Sequence, residues 1–243
     1  MTTVKDVDYM LMTEMNDRDL LNFCKTNKYS SKICRNENFW KKRTFLNYGE
    51  VEKNPDRTWK DFYINIIYYD NKLKDDDELK AFGGKFNPGS SLVEVSRKGI
   101  KNKDLIDFYI NKGVDNYYLN AAMQEAVKIN DLKLVKYLIS KGADEWNGGM
   151  TTGAEVGNLR MIRFFVKNNP GTKNWNLGLK YSAREGQLKA AEYFVDKGAN
   201  HLTEALDAAI EEEEYEMVNY LKKVMKYKKW HFSRTPTKEY FFI

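Results

Sequence analysis

The segment KLVKYLISKGAD, residues 133–144, decides the fold because it returns along the chain. Its counterparts are DLIDFYINKGVD (104–115), RMIRFFVKNNPG (160–171), KAAEYFVDKGAN (189–200) and EMVNYLKKVMKY (216–227). Apolar residues recur at i, i+1, i+4 and i+5: Leu134, Val135, Leu138 and Ile139 here, then Met161, Ile162, Phe165 and Val166 one unit later. That spacing lines one face of a helix. Successive units start 29, 27, 29 and 27 residues apart. Fixed self-similarity over this distance is the mark of a stacked repeat architecture.

Each segment is preceded by a shorter stretch rich in small residues: AAMQEAVKIN, TTGAEVGN, KYSAREGQ and ALDAAIEEEE. Alanine and glycine there let a first helix lie close to its neighbours. The unit is therefore a helix, a turn and a second helix, present about five times between residues 91 and 228. Gly113, Gly142, Asn169 and Gly198 end the first four second helices. Glycine and asparagine tolerate the left-handed turn that stops a helix. No unit covers its own apolar face, so stacking must. The expected fold is all-α, a helix-turn-helix solenoid preceded by a short helical domain.

KLVKYLISKGAD and KAAEYFVDKGAN resemble the second half of ankyrin repeats. WNGGM (146–150) and WNLGL (175–179) resemble ankyrin-like arrays of large DNA viruses that infect amoebae. The period is shorter than the usual ankyrin unit and T-P-L-H is absent, which implies shorter connecting fingers. The resemblance implies an array that binds a target protein. Residues that differ between units are the candidates for target contact: Tyr117, Tyr118, Glu145, Lys173 and His201. Trp146 and Trp175 carry two readings, contact aromatics or scaffold, and their recurrence at one phase favours scaffold.

Residues 1–70 have a different texture. Val7, Met10, Leu11, Glu14 and Met15 suggest a short amphipathic helix. Asn16 reads as the cap of a second, with Asp19 in its first turn and Leu20, Leu21, Phe23 and Cys24 on its apolar side. A third carries Ile33 and Cys34, and Phe39-Trp40 open a fourth. Cys24 and Cys34 are neither C-x-x-C nor near the two histidines, His201 and His231. Each sits beside aliphatic residues, where a free thiol behaves as a small buried hydrophobe.

The order RDLLNFC…NK…IC…E…FW resembles the F-box, the module that attaches substrate receptors to the Skp adaptor of cullin-type ubiquitin ligases. PDRTWKDFY (55–63) is similar to the continuation seen after the F-box in giant-virus proteins. The Leu-Pro pair that opens an F-box is replaced by Thr3-Val4-Lys5-Asp6. The resemblance implies adaptor contact by an exposed apolar patch of Met10, Leu11, Leu20, Leu21, Ile33 and Trp40. The alternative is that residues 1–70 only cap the array.

Residues 71–90, with the Asp75–Glu78 carboxylates and AFGGKF, read as a linker, and 229–243 as a basic and aromatic tail. Gly84-Lys85 does not complete a Walker A loop, and the carboxylates lack the D-x-D-x-D-G calcium spacing. No H-E-x-x-H, G-x-S-x-G or kinase set is present. An enzyme, a cofactor and a metal site are therefore not expected. The 40 basic and 35 acidic residues leave a surplus of +5, too small to call for nucleic acid. The lysines from Lys222 to Lys229 suit a helix C-terminus, with Glu211–Glu214 near its start. No apolar run spans a bilayer and the N-terminus lacks the pattern of a secretion signal. The expected compartment is the cytoplasm (the host's, for a viral protein) or the nucleus.

Overall fold

A computed structural model of the chain describes residues 10–26, 28–74, 87–169 and 171–232, and all secondary structure among them is helical. Residues 10–14 are helical. After them come α1 (Asp17–Phe23), α2 (Lys28–Ile33), α3 (Glu37–Tyr48) and α4 (Trp59–Lys74). The repeat helices are α5 (Pro88–Ser96), α6 (Lys103–Asn111), α7 (Asn116–Lys128), α8 (Leu132–Ser140), α9 (Trp146–Glu155) and α10 (Leu159–Asn168). They continue with α11 (Trp175–Arg184), α12 (Leu188–Asp196), α13 (Leu202–Glu211) and α14 (Tyr215–Phe232). The Asp75–Glu78 run, Gly84-Lys85, Thr3–Asp6, Val7, Asn27 and residues 233–243 lie outside the described residues.

The chain divides into two compact units, 1–122 and 123–243. In the second unit α9, α11 and α13 pack side by side in a row, and each also packs against the second helix of its own pair. Glycine is what brings the two helices of a pair together. A Cβ on Gly149 would lie 2.3 Å from the Phe165 ring, and one on Gly178 would lie 2.4 Å from the Phe194 ring. Met161, Ile162 and Phe165, and likewise Ala190, Ala191 and Phe194, are buried. These are the apolar positions read from the periodicity.

The turn inside each of the last four pairs is built the same way. Asn130, Gly157, Gly186 and Glu213 all have positive φ. The next amide closes a long bond back into the first helix: Asp131 to Ala126 (2.9 Å), Asn158 to Gly153, Gln187 to Ser182 and Glu214 to Ala209 (each 2.8 Å). This is the Schellman stop, in which a left-handed residue lets orphan carbonyls find donors. Side chains then start the second helix: Asp131 accepts from Leu134 N and Asn158 from Met161 N. The turns between pairs are less uniform. Gly113, Gly142 and Gly198 take positive φ as expected. Asn169 does not: its φ of −132° is extended, and its side chain instead accepts from Gly171 N at 2.8 Å. The longer finger before Trp175 leaves room for that turn.

In the first unit the head and the first helix pair share a core rather than standing apart across a 71–90 linker. α4 packs on α5. Phe108 of α6 meets Phe62 of α4 and Tyr48 of α3 edge-on, at 6.0 and 5.4 Å between ring centres. Tyr109 donates to Asp70 at 3.0 Å, and Arg57 forms an ion pair with buried Asp104 at 3.2 Å. The head therefore packs on the first helix pair within the first unit.

The reading of Cys24 and Cys34 as free thiols is corrected: they form a disulfide, with Cα atoms 5.8 Å apart. Residue 24 caps the end of α1 and residue 34 lies just past the end of α2, so the short connection folds the two helix ends onto each other. Cys34 is buried in the head core with Met12, Leu20, Phe39, Trp40 and Tyr63.

Two stability outcomes are expected from this packing. Gly149→Ala pushes a methyl into the Phe165 ring and should cost about 1–3 kcal/mol in urea unfolding. Adding Phe165→Leu should recover part of that loss, as coupled neighbours do. Reducing the disulfide should lower stability by about 2–4 kcal/mol, read as a fall in melting temperature with a reductant that is absent in Cys24→Ser/Cys34→Ser.

Candidate functional site

The head is organised around one buried cation. In Lys41-Lys42-Arg43 the two lysines are exposed, while Arg43 is turned inward on α3 and is only 2% exposed. Its guanidinium donates to the carbonyls of Met12 (3.0 Å), Thr13 (2.7 Å) and Met15 (2.5 Å). It also donates to Tyr63 Oη at 2.8 Å and pairs with Asp17 at 2.7 Å. These carbonyls belong to the end of helix 10–14, where backbone acceptors lack intrahelical donors. One planar fork thus ties helix 10–14, α1, α3 and α4 together.

Tyr63 completes the network. Its hydroxyl donates to Asp17 at 2.6 Å and accepts from Asn47 at 2.6 Å. Burial, then the hydrogen bond to Asp17, pushes the Tyr63 phenol well above its usual range. Burial does the same to Tyr109, with nearby Asp70 adding to the effect. Both phenols keep their proton where a solvated tyrosine loses it. Among the described residues no group of three or more His, Cys, Asp or Glu is placed to hold a metal. Their helices include none long and apolar enough to cross a membrane.

The six residues named for adaptor contact do not form one patch. Leu20 and Trp40 are fully buried, and the Trp40 indole N–H donates to the Cys34 carbonyl at 2.8 Å. They are corrected to core residues: α1 and α3 turn these faces toward each other, not outward. Leu21 and Ile33 are half-buried against that core. Met10 and Leu11 are exposed, at 54% and 58%. Leu46, which the sequence did not single out, is 61% exposed and lines an open surface pocket of about 490 Å³ beside the 13–17 turn.

The residues named for target contact divide in the same way. Tyr117 is 73% exposed. Tyr118 is half-buried, with its ring over Gly89 and its hydroxyl accepting from Asn87, so it serves the interior of the first unit. Trp146 is half-buried and stacks on Phe164 with 6.5 Å between ring centres; Trp175 meets Phe194 at 6.5 Å. Both tryptophans thus pack on a ring of their own pair. Glu145, Lys173 and His201 are exposed on the fingers that lead into α9, α11 and α13. Glu145 accepts from Gln124 at 3.2 Å, and His201 meets Glu204 at 2.8 Å.

No protein-family model matches the chain, and no curated protein matches it. Two outcomes check the head. Arg43→Met removes the donor to three carbonyls and the cation beside Asp17, which keeps the Tyr63 hydroxyl as a donor, and should cost about 3–5 kcal/mol; Arg43→Lys, which lacks the fork, should not restore it. The raised phenols make native protein bind protons that the unfolded chain has lost. Stability should hold up to the unfolded value near pH 10 and then fall as pH rises toward the folded values, by up to about 1.4 kcal/mol per pH unit for each phenol. Tyr63→Phe should flatten that slope in urea unfolding measured on both sides of pH 10.

Proposed function

We propose that the chain is a non-catalytic protein-interaction scaffold of the ankyrin-like kind, whose repeat array holds a target protein and whose N-terminal helices cap the array. One observation carries this reading: a constant interior with a variable exposed rim. Gly149 and Gly178 face Phe165 and Phe194 in the same way, and the turns share one backbone geometry. The exposed finger positions change instead: the residue before each first helix from Glu145 to Asn174 to His201, and the one before it from Asp144 to Lys173 to Asn200. Exposed variation on rigid supports suits recognition, because it alters partner choice without touching the packing. No nucleic acid, membrane or cofactor enters this reading.

A second role for the head, docking the Skp adaptor of a cullin-type ubiquitin ligase, is favoured by the exposure of Met10 and Leu11. The array would then present its target for modification by partners, as F-box proteins do. We place such a protein in the cytoplasm, the host's if its resemblance to viral arrays reflects its source, or in the nucleus. There the Cys24–Cys34 pair meets a reducing pool.

The array reading is tested by affinity capture from a host lysate. A specific partner should be retained by the wild-type chain and lost with Lys173→Glu/His201→Glu at unchanged melting temperature; equal capture by that variant would overturn the rim assignment. The docking role is tested with purified Skp adaptor. Binding that falls by about tenfold or more, roughly 1.4 kcal/mol, in Leu11→Asp supports it. No binding by the wild-type chain leaves the head as a cap alone. Leu20→Asp is unsuitable for this purpose, since it places a charge in the head core.

A further inference from the structure

The second helices of two consecutive pairs, α8 and α10, differ from the rest of the second unit in their outward charge. α8 reads LKLVKYLIS and α10 reads LRMIRFFVKN, with no aspartate or glutamate in either. Leu134, Val135 and Leu138 of α8 and Met161, Ile162 and Phe165 of α10 are buried, which fixes the opposite faces outward. Lys133, Lys136 and Lys141 are exposed on the first, and Arg160, Arg163 and Lys167 on the second. Lys133 and Arg160 hold the same place in successive pairs, as do Lys136 and Arg163.

Two cations elsewhere in this unit, Lys128 and Arg184, meet carboxylates. Lys128 pairs with Glu125 at 2.9 Å, and Arg184 with Glu185 at 2.9 Å and Glu155 at 3.5 Å. Among the described residues none of the six forms an ion pair. Lys136 instead lies 5.8 Å over the Phe164 ring, and Lys141 lies 5.4 Å over Tyr137. The next second helix ends the pattern, since α12 sets Glu192 and Asp196 beside Lys189 and Lys197. Like charges one helical turn apart repel, and the two ring contacts offset that repulsion only in part. A partner bearing carboxylates would relieve that repulsion.

We infer that the outward face of α8 and α10 is a docking surface for an acidic, aspartate- and glutamate-rich segment of a partner protein. Neighbouring packed helices lie about 8–10 Å apart and successive turns about 5.4 Å apart. Extended chain places same-side residues about 6.8 Å apart, a spacing whose carboxylates flexible lysine and arginine side chains can follow. The rings at this face argue against single-stranded nucleic acid. Tyr137 and Phe164 are half-buried and have ammonium groups over them, so they do not offer open platforms for bases. The inference rests on the protein-binding reading for the class of partner. It concerns a surface other than the finger residues, so either can fail while the other stands.

The test uses the full-length chain and a fluorescein-labelled oligo-glutamate peptide, with a single-stranded oligonucleotide of equal charge measured beside it by fluorescence anisotropy. The expected result is peptide binding that weakens about tenfold or more in Lys136→Glu/Arg163→Glu and weakens as salt is raised. Lys222→Glu/Lys223→Glu on α14 should leave it unchanged. Should the double reversal disturb folding by circular dichroism, Lys136→Gln/Arg163→Gln is the replacement, with the same expected direction. Three results would each overturn the inference: no peptide binding at low salt, equal binding by the folded double variant, or tighter binding of the oligonucleotide lost in that same variant.

Discussion

A helix pair of this length has apolar surface on both sides and cannot bury either by itself. Every other feature of the repeat region answers that constraint. Glycine at 149 and 178 removes the atom that would hold the two helices of a pair apart, and an aromatic ring from the second helix occupies the space. Trp146 and Trp175 extend the same contact along the rings. Because each pair is held by its neighbours, the ends need a different answer. In the first unit the head supplies it, with α4 on α5 and aromatic contacts reaching α6. In the second unit α14 buries Met217 and Leu221 and turns Lys222 and Lys223 to solvent.

The head solves a second problem, that of joining several short helices with little apolar area apiece. Short helices have a high proportion of unpaired backbone groups. Arg43 meets this by spreading five donor contacts over three carbonyls, a phenol and a carboxylate. That network has a functional consequence. It draws Leu20, Phe39 and Trp40 inward around Met12, so the apolar side chains left for a partner belong mostly to helix 10–14 and to Leu46.

How much of this could be read in advance depended on whether the signal was periodic. The repeat helices were legible because their apolar positions return in register, and so was the stopping role of Gly113, Gly142 and Gly198. The tight turns within the pairs were not, since the left-handed position is glycine at 157 and 186 but Asn130 and Glu213 elsewhere. Arg43 was hidden by its neighbours, as a basic triplet reads as surface until the helix phase assigns one member to the core. The disulfide was hidden for a related reason: ten residues between cysteines say nothing until two helix ends are brought together. Leu20 and Trp40 show the limit of resemblance. A motif identifies residues that matter but does not say which way they face. The variable finger residues were found by difference between units, and Tyr118 escaped that logic because its ring packs over Gly89.

Glu213 has a consequence for how firmly its two helices are joined. It is a glutamate in a conformation that side chains with a Cβ resist, costing on the order of 1–2 kcal/mol. It also sits amid three other carboxylates at the negative end of α13. Among the described residues α14 is the last helix after this turn. The strained backbone and the clustered charge make this turn a weaker joint between its two helices than the glycine turns at 157 and 186.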